Sequence, residues 1–98
     1  MRRAAKVDAN HAEIVSCFLA AGFSVQSLAT VGYGCPDLLL GIDGRNVLVE
    51  IKNGEQAVRR YNSYQRKWHA EWRGTTHVVS SVDEALLLCK LYRNARAA

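Results

Sequence analysis

The 98-residue sequence predicts one α/β domain in the order αβββαβα, a mixed central sheet flanked by helices. Three observations lead there. Aliphatic residues occupy every second position on both sides of Asp43-Gly44, a pattern that builds two strands joined by a tight turn. A helical stripe of Val7, Ile14 and Phe18 precedes them, and two further helical segments follow. No internal repeat, low-complexity run or linker divides the chain, and its length suits a single core.

Each element has its own local signal. After a basic tail over residues 1–6, Val7 to Ala21 reads as a helix, with Asp8 as a cap and Gly22 where a C-cap belongs. Phe23 to Thr30 alternates like a short strand. Gly32-Tyr33-Gly34-Cys35-Pro36 is a loop whose glycines let backbone come close to something else. Asp37 to Ile42 and Asn46 to Lys52 form the hairpin, since Asp-Gly supplies the two residues that such a turn needs. Asn53 to Arg60 is a polar, basic loop. Asn62 opens a helix that runs to about Trp72 and is closed by Gly74. His77 to Ser81 is a fourth strand, and Ser81 or Asp83 starts a last helix carrying Leu86, Leu87 and Leu91.

Composition sets limits on function. With 49% hydrophobic and 22% charged residues, the chain is ordinary globular material. A formal charge of +4 permits a polyanionic partner without requiring one. Cys17, Cys35 and Cys89 are widely separated and form no C-x-x-C or Cys/His cluster, which argues against a disulfide framework or a zinc site and suits a reducing cytosol. Met1-Arg2-Arg3 resembles the start of a signal peptide, but His11 and Glu13 interrupt the apolar run that should follow. The apolar runs are too short to span a membrane.

The hairpin register places the chemistry. With Asp43-Gly44 at the turn, Ile42 faces Arg45, Leu40 faces Val47, Leu38 faces Val49, and Asp37 lies opposite Glu50. One face then carries Leu38, Leu40, Ile42, Val47, Val49 and Ile51, an aliphatic surface for helices to cover. The other carries Asp37, Leu39, Gly41, Asn46, Leu48, Glu50 and Lys52. Directly opposed residues hold their Cβ atoms about 4.5–5.5 Å apart. Two carboxylates that close repel, and one is pushed toward protonation. A hard divalent cation such as Mg²⁺ between them removes the conflict. The plainer alternative, a surface ion pair of Glu50 with Lys52, leaves Asp37 unexplained.

Pro36-Asp37 followed by Glu50-Ile51-Lys52 resembles the motif of the PD-(D/E)xK nuclease superfamily, whose restriction-endonuclease-like core has this element order. The resemblance is closer to the small virus-type replication–repair nuclease (VRR-NUC) domains, often phage-encoded and similar in fold to Holliday-junction resolvases. Matching features run through residues 10–15, 32–40 and 49–52, then Gln65, Trp68 and Trp72 to Gly74. Departures are His11, where the family commonly has Gln, and Tyr61-Asn62, where it has a Leu-Thr pair.

The resemblance implies that Asp37, Glu50 and the Ile51 backbone carbonyl ligate Mg²⁺ or Mn²⁺, and that Lys52 orients the attacking water. It implies that Glu13 reaches the metal; a solvent-facing helix carboxylate is the alternative. It implies that Gln65 points at the phosphate or the water, whereas Asn62-x-x-Gln65 also reads as a capping box. Gly34, Arg59, Arg60, Arg66 and Lys67 are the candidate DNA contacts, against a solvated basic surface. Trp68 and Trp72, one helical turn apart, read as a core or subunit-contact stripe or as a base-stacking pair. The implied activity is a metal-dependent endonuclease for branched DNA, working as a homodimer in a bacterial or phage-infected cytoplasm. The rival is a catalytically idle nucleic-acid-binding module on the same fold.

Overall fold

A computed structural model describes residues 9–52 and 63–97. The elements are α1 (Ala9–Ala20), β1 (Ser24–Ser27), β2 (Leu38–Ile42), β3 (Arg45–Ile51), α2 (Ser63–Glu71), β4 (Thr76–Val79) and α3 (Val82–Ala97). The strands form one sheet in the order β1-β2-β3-β4, antiparallel except for the parallel β3–β4 pair. The expected αβββαβα α/β fold with a mixed sheet is what the chain adopts.

The hairpin forms in the expected register, with Leu38 facing Val49, Leu40 facing Val47 and Ile42 facing Arg45. Asp43 (φ 51°) and Gly44 (φ 79°) are both left-handed, as a type I′ turn demands. Helix α1 stops in a Schellman motif. Gly22 turns left-handed at φ 93°, the Phe23 N–H donates to the Phe18 carbonyl (3.1 Å) and the Gly22 N–H donates to that of Leu19 (3.0 Å). The hydrophobic contact of that motif is an edge-to-face pair of Phe18 and Phe23, centroids 5.5 Å apart. At the start of α3, Ser81 Oγ accepts from the Glu84 N–H, while the Glu84 carboxylate accepts from the Ser80 N–H and hydroxyl. Those caps end β4 earlier than Ser81.

The first strand is also shorter than its alternation suggests. Ser27 Oγ accepts from the Ala29 N–H and the Val31 N–H donates to the Leu28 carbonyl, so the chain turns out of the sheet after Ser27. The expected helix cap Asp8, the basic tail, the loop over residues 53–60 and Asn62 lie outside the described residues.

The core forms where one sheet face meets α1 and α3. Leu38, Leu40, Val47 and Val49 of the hairpin pack with Ile14, Phe18, Phe23, Ala85, Leu88, Cys89 and Tyr92. Leu86, Leu87 and Leu91 of α3 point outward instead. Ile14 has no exposed surface. Trimming it to valine is expected to cost about 1 kcal/mol, read as a fall in Tm of about 4–8 °C.

Helix α2 stands apart from this packing. It covers the opposite sheet face, yet buries none of its own residues fully. That leaves space between helix and sheet.

Candidate active site

The polar face of the hairpin ends in a cluster contributed by β2, β3 and α2. Asp37 sits at the bend entering β2, after the buried Pro36, with its own carbonyl accepting from the Leu28 N–H (2.8 Å). Its Oδ2 accepts from the Ile51 N–H at 2.7 Å. The carboxylate therefore takes the place of a further strand partner beside β3. An extended residue points its N–H and C=O toward the same strand edge, so the Ile51 carbonyl faces the Asp37 side too.

Glu50, one residue earlier on β3, is only 3% exposed. Lys52 Nζ lies 3.6 Å from its Oε2. Gln65 of α2 bridges the two: its Nε2 donates to Glu50 Oε2 (3.0 Å) and its Oε1 accepts from Lys52 Nζ (3.2 Å). Those two bonds place the Gln65 side chain in the cluster; Asn62, its partner in the capping-box pattern, lies outside the described residues. The other Glu50 oxygen, Oε1, is buried with no hydrogen-bond partner among the described residues. Such an orphaned acceptor is costly unless something else satisfies it.

The electrostatics agree with a crowded anionic spot. Burial first, then the neighbouring Asp37 carboxylate, raises the Glu50 carboxyl to about 7 against the lowering pull of Lys52. The Cys35 thiol beside them is raised by burial and then by Glu50 and Asp37. On the other flank, burial and then Lys52 lower His69. Two hard carboxylates, one with an unsatisfied oxygen, are a donor set that fits Mg²⁺ or Mn²⁺.

The remaining candidates are placed as follows. Gly34 (φ 83°) presses on the start of α2, where a Cβ would meet the Tyr64 carbonyl and come within 2.9 Å of the Gln65 nitrogen. Arg66 and Lys67 are exposed on α2. Arg59 and Arg60 lie outside the described residues. Glu13 is exposed on α1 and lines the groove between α1 and α3, next to Leu86 and Arg93. Among the described residues no three His, Cys, Asp or Glu side chains gather as a metal cluster.

Trp68 and Trp72 stack on each other, centroids 4.6 Å apart and 14° from parallel. With Tyr33, Leu39, Asn46 and Leu48 they line a cavity of about 520 Å³ between α2 and the sheet. The cavity is not legible in the sequence; its one signal is Leu39 and Leu48, apolar residues on the face that carries the acids.

No family model and no curated protein matches the chain. Among solved structures, a VRR-NUC domain matches at 26% identity and a TM-score of 0.66, over 83% of this chain and 90% of that one. In fold and in sequence the chain is similar to a VRR-NUC domain, as its motif and element order implied, and that similarity supports a nuclease domain of the PD-(D/E)xK type.

Proposed function

We propose that this chain is a Mg²⁺- or Mn²⁺-dependent deoxyribonuclease that hydrolyses phosphodiester bonds in branched DNA, acting as a homodimer. The observation that carries the reading is the buried Glu50 carboxylate. It is held beside Asp37 by two strands, touched by Lys52 and Gln65, and left with one oxygen unsatisfied. A structural ion pair has no use for that oxygen; a metal ligand does.

Asp37, Glu50 and the Ile51 carbonyl would hold the cation. When bound, it polarises the scissile phosphate and lowers the pKa of a water molecule. Lys52 orients the attacking water and offsets charge that develops on the phosphoryl oxygens. Its compact ammonium suits that task better than the broad fork of an arginine. Gln65 fixes the Glu50 carboxylate and the Lys52 amine relative to one another, so neither has to reorganise as the reaction proceeds. Arg66 and Lys67, together with Arg59 and Arg60, would hold the DNA backbone outside the site. A homodimer would present two such sites, as symmetric cleavage of a four-way junction requires.

The test is cleavage of a four-way junction, a flap, a single strand and a linear duplex with Mg²⁺ or Mn²⁺, alongside a measured oligomeric state. Junction cleavage by a dimer is expected. Lys52→Ala is expected to lower cleavage about 10²-fold with DNA binding retained. Tight binding without cleavage of any form would leave the idle binding module as the better description.

A further inference from the structure

The cavity beneath α2 lies on the same sheet face as the carboxylates. Leu39 and Leu48, on its floor, each stand two residues from an acid, Asp37 and Glu50, on the same side of their strands. Cys35, whose thiol feels both acids, lines the cavity and the acid cluster alike. A phosphate held at the acids would therefore carry its neighbouring nucleoside to the mouth of this cavity.

The lining suits a flat aromatic heterocycle. Tyr33 is 78% exposed at the rim and Trp72 48% exposed, so both rings keep surface that an incoming ring can meet. Trp68 stacks behind Trp72 and keeps it in place. The floor is aliphatic, and Asn46 offers an amide donor and acceptor at the edge. At about 520 Å³ the space is within the usual range of small-ligand pockets. A base stacked and paired in a duplex cannot enter a space roofed by a helix, whereas an unpaired base can.

We propose that this cavity receives one nucleobase, unstacked from the DNA next to the scissile phosphate. It would make the protein select substrates with an unpaired nucleotide at that position. Stacking recognises the aromatic faces of any base, and the Asn46 amide adds a preference among their edges. The inference rests on the nuclease reading for where the DNA backbone lies. It goes beyond that reading in assigning the substrate's base a pocket of its own.

Trp68 and Trp72 are the chain's two tryptophans, so its intrinsic fluorescence reports on this cavity directly. Titrating the full chain with a single-stranded oligonucleotide in Ca²⁺ buffer is expected to quench that emission. The same backbone built wholly of abasic nucleotides is expected to bind about tenfold more weakly and to leave the emission unchanged. Equal affinity for the two strands would overturn the proposal. Trp72→Leu is expected to remove the same factor for the base-bearing strand and nothing for the abasic one. Tyr33→Ala, an exposed rim substitution, repeats the comparison if the tryptophan variant does not fold. An equal loss on both strands in a folded variant would also overturn the proposal. In a cleavable branched substrate, single abasic positions are then scanned across the cut. Efficient cleavage with no sensitive position ends the base pocket and leaves the nuclease standing. Base-dependent quenching without any cleavage does the reverse.

Discussion

Glu50→Gln is expected to make the metal-free protein more stable while removing its cleavage activity. The native carboxyl is raised to about 7 from an ordinary 4.5, because it is buried next to Asp37. The folded chain therefore binds this proton more tightly than the unfolded chain does. Between those two values stability falls as pH rises, and above about 7 the whole penalty is present. It amounts to roughly 3 kcal/mol, with the favourable Lys52 contact already included. A neutral glutamine of nearly the same shape carries no such penalty. At pH 8 in EDTA, the variant is expected to melt about 10 °C higher than the parent, and at pH 4 the two are expected to coincide. Adding Mg²⁺ is expected to raise the parent's Tm at pH 8 and to leave the variant unmoved. Cleavage is expected to fall by more than about 10³-fold, since several kcal/mol of charge stabilisation depend on a competent ligand set. Below pH 7 protons compete with the cation for Glu50, so metal affinity in the parent is expected to drop on acidification. A variant no more stable than the parent at pH 8 would show that Glu50 is not held ionised against its environment.

Gly34→Ala is expected to damage the site from outside it. At φ 83° a side chain is strained, and its Cβ would lie 2.6 Å from the Tyr64 carbonyl carbon and 2.9 Å from the Gln65 nitrogen. Those are backbone atoms and cannot swing aside. Because α2 buries none of its residues, the easiest relief is displacement of its first turn. Gln65 then leaves Glu50 and Lys52. Misplacement on the order of 1 Å costs about 10²-fold in rate, which is the loss expected here. Gly32→Ala is the control. Gly32 has a similar φ of 77° with nothing within 4 Å, so it carries the strain of about 1–2 kcal/mol without the collision. Its Tm is expected to fall by less than that of Gly34→Ala, while cleavage stays near that of the parent. Equal activity in the two variants would mean that the loop does not set the position of α2.

The part of the fold ruled by short-range pattern is legible in the sequence. Alternating aliphatics and the Asp43-Gly44 turn determine the hairpin register, and the register alone brings Asp37 toward Glu50. Gly22 closes α1 where its position suggests, through contacts a few residues apart. What resists reading depends on distant partners. Gln65 has two reasonable roles as a local motif, and its approach to Glu50 and Lys52 depends on a helix packed against a distant strand. Glu13 sits on a helix whose rotation is set by Ile14 and Phe18 reaching the core, which turns the acid into the groove with α3. The leucines of α3 look like core by composition, yet Ala85, Leu88, Cys89 and Tyr92 are the ones that face it. The cavity draws on residues from Leu28 to Thr75 and has no contiguous signature.

The amides of Ile51, which ends β3, and of Lys52 just after it are fastened in opposite directions. Ile51 donates to the Asp37 carboxylate and Lys52 to the Val79 carbonyl, at 2.7 and 2.9 Å. The segment bearing the acid and the amine is thus bolted on both flanks, like a workpiece in a vise. The helix that carries Gln65 and the indoles buries none of its residues fully and is the part of the site left to adapt. Laboratory evolution toward new substrates would then concentrate its changes in that helix and the glycine-bearing loop beneath it, leaving the anvil untouched.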